Sequence, residues 1–243
     1  MLQTICGIIL RNIKYSESSV ICDVYTREYG LRTYILSGVR QQNSRIGPAL
    51  LRPMSWVEMV VYHREDREIN RVKEIKPAYI YKQIPFDVIR GALGLFMTEL
   101  VQKSVKETGE NPPLYEYLFY CYSLLDVYEG RLVNFHLSFM VKLTEYLGFM
   151  PEGTDFYDEE EELFFDYKEG VFLAERPEHS CYFTAQHSRL LLQFLELPMT
   201  ESGDIKITGE LRHRLIEDLI RFYQYHIEHL QIHAHEVLHQ VLS

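Results

Sequence analysis

Residues 3–39 read QTICGIILRNIKYSESSVICDVYTREYGLRTYILSGV. Three runs rich in Val, Ile, Tyr and Thr (QTICGIILRN, SVICDVYT and GLRTYILSGV) are separated by the turn-like stretches KYSES and REYG. That punctuation is expected of short antiparallel strands. Two more such runs, SWVEMVVYHR and REINRVKEI, follow before Lys76. Five strands in about eighty residues is the size of an OB barrel, whose open face and loops take single-stranded nucleic acid or sugars. An SH3-like small barrel fits the same pattern.

From Pro85 the period changes. FDVIRGALGLFMTELVQKSVKE, PLYEYLFYCYSLLDVY and RLVNFHLSFMVKLTEYLGF place apolar residues three and four apart, as in Leu132, Phe135, Phe139, Leu143 and Leu147, the signature of helices packed by one face. They are broken by GENPP and EGR. Between about 150 and 182 the pattern is irregular: seven of the eleven residues 152–162 are acidic, and LFFDY and VFLAE predict a hairpin turning at Gly170. The acidic run reads first as a solvated loop and second as a DNA mimic or a clamp for a basic partner. Helical spacing resumes at AQHSRLLLQFLEL and again from Thr208 to the end. The expected fold is α+β: an N-terminal five-stranded OB-type barrel over 1–80, then a mainly helical domain over 81–243 with a small hairpin insertion.

The chain has 243 residues, 47% of them hydrophobic, enough for one large or two modest cores. It contains no apolar run of about eighteen residues, so no spanning helix is expected. The opening MLQTICGIILRN has neither a basic leader nor a small-residue cleavage site and reads as a strand. A cytoplasmic protein is expected. Four scattered cysteines, with no C-x-x-C pair, predict free thiols rather than disulfides or a cysteine zinc site. The net charge of −10 is unevenly spread: residues 1–80 carry 12 Lys and Arg against 8 Asp and Glu, and 81–243 carry 13 against 27. A basic first third and an acidic remainder suggest two domains with different partners.

In the first domain Arg11, Lys14, Arg27, Arg32, Arg40, Arg45 and Arg52 are interleaved with Tyr15, Tyr25, Tyr29 and Tyr34. Guanidinium groups bond two phosphate oxygens at once, and exposed tyrosines stack on any base. The alternative is that these side chains only solubilise a small barrel. LSGVRQQNSRIGPALLRP gathers Arg40, Arg45 and Arg52 around a polar loop able to follow a nucleic-acid backbone. Neither a phosphate-cradling glycine loop nor a G-x-S-x-G elbow occurs, so no nucleotide hydrolase or esterase is expected. His235, Glu236 and His239 match H-E-x-x-H, the zinc-peptidase pattern. A third ligand normally follows the second histidine, and only QVLS remains; ordinary helix histidines are the expected reading. On one continuous helix His226, His229 and His233 would share a face.

The order of motifs resembles the RecO family of bacterial recombination mediators nearly end to end. GIILRNIKYSESSVICDVYTREYGLRTYILSGVR is similar to that family's opening, SRIGPALLRPMSWVEM to its S-x-x-x-x-x-L-x-P stretch, LVNFHLSFMVKLTEYLGFMPE to its helix ending in L-G-[YF]-x-P, and LQIHAHEVLHQVL to its closing helix. The resemblance implies a protein that is not an enzyme and needs no cofactor. It implies one that binds single- and double-stranded DNA, anneals complementary strands without ATP, engages the single-strand-binding protein and RecR, and helps load RecA, with RecF a further possible partner, at the nucleoid. On this reading Arg11, Lys14, Arg32, Arg40, Arg45 and Arg52 contact DNA. Arg131, Phe135, Phe139 and Lys142 are the candidate site for the acidic tail of the single-strand-binding protein. Many family members carry zinc-binding cysteine pairs after L-G-[YF]-x-P; here only Cys181 stands in that region, so packing is expected to replace the metal. An RNA-binding OB protein and a zinc hydrolase are the alternatives.

Overall fold

The computed structural model describes residues 1–39, 47–153 and 162–242. Strands β1 (Leu2–Lys14), β2 (Val20–Thr26), β3 (Gly30–Leu36), β4 (Trp56–Tyr62) and β5 (Ile69–Pro77) close into a barrel in the order β1-β2-β3-β5-β4. Its pairs are antiparallel except β3 with β5, which run parallel. This is OB-like topology, and it decides between the two small barrels the pattern allowed.

Period-two alternation sends Cys22 and Val24, Tyr34 and Leu36, and Val57, Met59 and Val61 into one buried cluster with Ile5, Ile9 and Val72. A register shift between Ile9 and Arg11 lets β1 bury Ile8, Ile9 and Leu10 in succession while turning Arg11 outward. Gly30 is required where it stands: its φ is +62°, and a side chain there would overlap the Gly109 carbonyl.

Helices α1 (Val88–Ser104), α2 (Pro112–Val127) and α3 (Phe135–Leu147) follow, in the three apolar-periodic segments. The chain divides into two compact units, one of residues 1–87 and 98–127, the other of 88–97 and 128–243. The first unit is therefore more than the barrel. Trp56 makes edge-on ring contacts with Tyr115 at 5.4 Å, Phe119 at 5.1 Å and Tyr122 at 6.1 Å, each worth about 0.5–1.5 kcal/mol beyond burial. The buried Asp126 carboxylate at the end of α2 accepts the N–H groups of Lys82, Gln83 and Ile84 and the Tyr79 hydroxyl, fixing the segment that follows β5.

In the second unit the expected hairpin is present as β6 (Phe164–Asp166) and β7 (Val171–Leu173), and β8 (Tyr182–Phe183) adds a third strand on the far side of β6. Phe165 packs against Phe172, Phe183 and Phe222 at 5.0–5.3 Å between ring centroids. The buried Asp166 accepts the N–H groups of Lys168 and Glu169 and bonds His179 at 3.0 Å. Aromatic packing and one carboxylate thus organise this region. Most of the acidic run, 154–161, lies outside the described residues.

Helices α4 (Ala185–Glu196), α5 (Gly209–His226) and α6 (Ala234–Val241) complete the unit. Thr184 and Thr208 cap α4 and α5 by accepting N–H groups three residues on. The continuous helix expected from Thr208 to the end is broken: Ile227 is extended and His229 has φ +59°. The break turns Leu230 and Ile232 into the core, and it separates His226, His229 and His233, which share no helical face.

Candidate nucleic-acid interface

Two rows of outward-facing side chains cross the barrel side by side. Register pairs Arg11 with Asp23, Asp23 with Thr33 and Thr33 with Ile69; the next row runs Ile13, Ile21, Ile35, Arg71. Strand β4 adds Tyr62 beside Arg71. The loops bordering this face, between β1 and β2 and between β4 and β5, are those with which OB barrels hold oligonucleotides.

At the β5 end lies a groove of about 720 Å³ lined by Arg64, Arg67, Arg71 and Lys73, together with Tyr62 and Ile69, and by no acidic side chain. Alternation explains it: Ile69, Arg71 and Lys73 face out while Asn70 and Val72 face in. The buried Asn70 accepts the Arg64 N–H at 2.8 Å and donates to the Arg67 carbonyl, so one core amide holds the loop that carries two cations. Arg64 pairs with Asp66 at 3.2 Å and Lys73 with Glu74 at 3.4 Å. Among the described residues neither Arg67 nor Arg71 forms a salt bridge, although the Arg67 charge helps lower the Asp66 pKa. Tyr62 is 49% and Ile69 42% exposed. Cations beside an aromatic and an apolar floor can neutralise phosphates while bases rest on the floor.

The residues expected from sequence are distributed unevenly about this face. Arg11 belongs to it, but its guanidinium lies 2.7 Å from Asp23, which also accepts from Thr33. Lys14 is exposed where β1 ends, and Tyr15 beyond it is 64% exposed. Arg32 shares the inward parity of Tyr34 and Leu36 and is half-buried at a barrel end. There its charge, after burial, helps hold the His63 pKa below its usual value. Arg52 is exposed at the end of a short 3-10 helix (Pro48–Leu51). Arg40 and Arg45 lie outside the described residues.

Of the tyrosines expected to stack on bases, Tyr25 and Tyr34 are core residues, and Tyr29 stacks on His63 at 3.8 Å. Only Tyr15 of that set stands free on the surface. Sequence reasoning missed Arg64, Arg67, Arg71, Lys73 and Tyr62. The available signal was the alternation R-V-K in a segment already read as a strand, next to the hairpin loop that OB barrels use.

Helix α3 does not offer the expected tail pocket. Phe135 and Phe139 are both 0% exposed and fill the core of the second unit. The Lys142 ammonium donates to the Leu195 carbonyl at 3.3 Å, and Arg131 is exposed just before the helix. The pair cannot be both core and open pocket.

His235, Glu236 and His239 lie on α6, with Glu236 exposed. Among the described residues no group of three or more His, Cys, Asp or Glu is disposed to hold a metal ion, so the zinc-peptidase reading has no ligand set there. Cys22 and Cys121 are buried free thiols, and burial pushes the Cys22 pKa up to about 12. No helix among the described residues is long and apolar enough to cross a membrane.

Comparison with known proteins agrees with this architecture. The profile described as Recombination protein O N terminal matches residues 1–81, and that described as Recombination protein O C terminal matches 85–236. The DNA repair protein RecO of Azobacteroides pseudotrichonymphae is 27% identical over 244 residues, covering 100% of each chain. That of Phocaeicola vulgatus is 27% identical over 227 residues, 93% of each. That of Christiangramia forsetii is 29% identical over 223 residues, 91% of each. A five-stranded OB-like barrel, the helices and small sheet after it, and both profile matches lead to one conclusion: this chain belongs to the RecO family of DNA repair proteins.

Proposed function

We propose that this protein binds single- and double-stranded DNA through the barrel, promotes annealing of complementary strands without ATP, and acts with RecR on DNA coated by the single-strand-binding protein to help load RecA in recombinational repair. The observation that carries the reading is the groove of Arg64, Arg67, Arg71 and Lys73, lined by no acid in a protein of net charge −10. Annealing needs two phosphate backbones neutralised while base edges stay free; a groove of cations over Tyr62 and Ile69 meets both demands. Arg11, Lys14, Arg32 and Arg52 extend the contact around the barrel; Arg40 and Arg45, outside the described residues, are further proposed DNA contacts. The protein acts without a catalytic centre or a bound cofactor, in the cytoplasm at the nucleoid.

The helical unit is the side that meets proteins. Its excess of carboxylates repels a phosphate backbone, so it suits RecR, the single-strand-binding protein and RecF better than DNA. With Phe135 and Phe139 in the core, Arg131 is the member of the expected tail site left for an acidic peptide.

The test is annealing of complementary strands coated with their cognate single-strand-binding protein, without ATP and with metal chelated, using that protein with and without its acidic tail. Faster annealing that requires the tail supports the proposal. No annealing by a folded protein refutes it. A strong preference for RNA over the matched DNA strand would move the function to RNA, through the 2′-hydroxyl.

A further inference from the structure

Where α6 closes over α3 and α5, a cleft of about 30 Å³ is walled by His136, Gly209, Arg212, His213, His235 and His239, and no carboxylate lines it. By this measure a water needs roughly 10–15 Å³, so the space suits about two waters or one small ion and excludes a nucleoside.

Three groups in the wall lack a partner they would be expected to have. Arg212 donates from Nε to Asn134 Oδ1 at 3.0 Å, and among the described residues it has no ion-pair partner. Its guanidinium is half-buried, and a desolvated cation without a counter-charge is costly. Asn134 is itself fixed by donating to the Ser202 and Ile205 carbonyls at 2.9 Å, so the guanidinium is held in place. His136 is 2% exposed, and its Nδ1 has no partner. Burial and the Arg212 charge push the His136 pKa down to about 3, leaving a neutral ring with one N–H to donate. The buried Nδ1 of His235 is likewise unpartnered.

The remaining wall has the same character. Gly209 opens the first turn of α5, an 18-residue helix, where backbone N–H groups favour negative charge. The first side-chain atom of any other residue there would stand 3.9 Å from Arg212 Nη1; glycine leaves that approach open. The His213 and His239 rings lie 4.3 Å apart. Of the nearby acids, Glu217 pairs with the wall residue His213 at 3.3 Å, so that Nε2 is already engaged, and Glu210 pairs outside the wall with Arg214 at 2.5 Å. A divalent cation would meet the Arg212 charge at once; an anion would complete it.

We propose that this cleft binds one small oxyanion of the phosphate type, held by the Arg212 fork, by imidazole N–H donors including His136, and by the first turn of α5. The residues of this site all belong to the second unit, and the inference does not rest on the reading of the barrel as a DNA-binding surface. Bound anion would fasten α6, whose Leu238 is its buried anchor, to α5.

The experiment follows the melting midpoint of the full chain in rising potassium phosphate, against potassium chloride at equal ionic strength. We expect a saturable rise of roughly 2–4 °C in the millimolar range, lost in Arg212→Gln and retained in Arg214→Gln. Methyl phosphate in a second arm separates the sources: tighter binding of the ester assigns the site to a phosphate carried on a larger molecule, weaker binding to the free ion. Should Arg212→Gln fail to fold, the ring signals of His136 in the unmodified protein give the answer, since they must shift saturably with phosphate. Overturning results are an unsaturated rise shared by Arg212→Gln, as exclusion of phosphate from the surface would give, unmoved His136 signals, or stabilisation by zinc ion and not by phosphate.

Discussion

Ile35 and Arg71 are register partners across the parallel pairing of β3 with β5, an apolar side chain and a cation without a carboxylate partner side by side on the outer face of the barrel. That adjacency gives the barrel a floor and a wall from neighbouring strands. If the wall holds DNA, the double variant Arg67→Ala, Arg71→Ala must flatten the dependence of log K on log salt by about one unit per residue for duplex, and somewhat less for a single strand. Fluorescence anisotropy at several salt concentrations measures it. An unchanged slope removes this groove from the interface.

If Arg11 contacts DNA as proposed, Asp23, which stands 2.7 Å from it, competes for the guanidinium. Asp23→Asn is expected to release that guanidinium and to steepen the salt slope by up to about one unit. Stability should change by no more than about 1 kcal/mol, because the Arg11 side chain is half exposed and solvent already screens the pair. Denaturant unfolding and anisotropy on the same variant separate the two effects.

Asp126 should be the most sensitive polar position of the first unit. Burial alone would raise its pKa, but the N–H groups of Ile84, Lys82 and Gln83 and the Tyr79 hydroxyl outweigh it and leave the pKa below the ordinary value of 3.8. Stability from this carboxylate is therefore complete above the unfolded value and is lost as pH falls through the lower folded value. Asp126→Ala leaves several buried donors without an acceptor and should cost about 3 kcal/mol or more, read as a shift of the urea midpoint at neutral pH.

Phe139 and Arg131 lie near each other in sequence but do opposite work. Phe139→Ala should cost about 3–5 kcal/mol, the usual penalty for emptying a core aromatic, whereas exposed Arg131→Ala should alter stability by less than about 0.5 kcal/mol. If the acidic tail of the single-strand-binding protein docks here, Arg131→Ala weakens its capture in a titration with the tail peptide. Equal affinity of the variant and the unmodified protein for that peptide would remove Arg131 from the site.

The strands were legible because turn residues punctuate them and their apolar residues alternate. The phase of the alternation was harder to read. Tyrosine suits either face of a sheet, so nothing local showed that Tyr25 and Tyr34 point inward while Tyr15 and Tyr62 do not. The groove cations were hidden by their company: in HREDREINRVK three acids intervene, and only the strand register reveals that none of them joins the lining. On α3 every residue from Phe135 to Val141 is buried, so apolar spacing could not identify a face open to a peptide. The break after α5 had a faint signal, the alternation of Leu230 and Ile232, which is strand-like inside a helical stretch. Strand β8 is two residues long, too short for any periodicity.

Trp56 also bears on where the gene can be cut. Its indole is buried by Tyr115, Phe119 and Tyr122 of α2, and the Leu31 N–H bonds the Glu107 carbonyl at 2.9 Å. An expression fragment ending with β5 would carry all five strands yet present a bare indole to solvent and leave the Leu31 N–H to water. Such a fragment should stick to itself at concentrations where the whole chain stays dispersed. A recombinant piece that keeps this indole covered has to include α2.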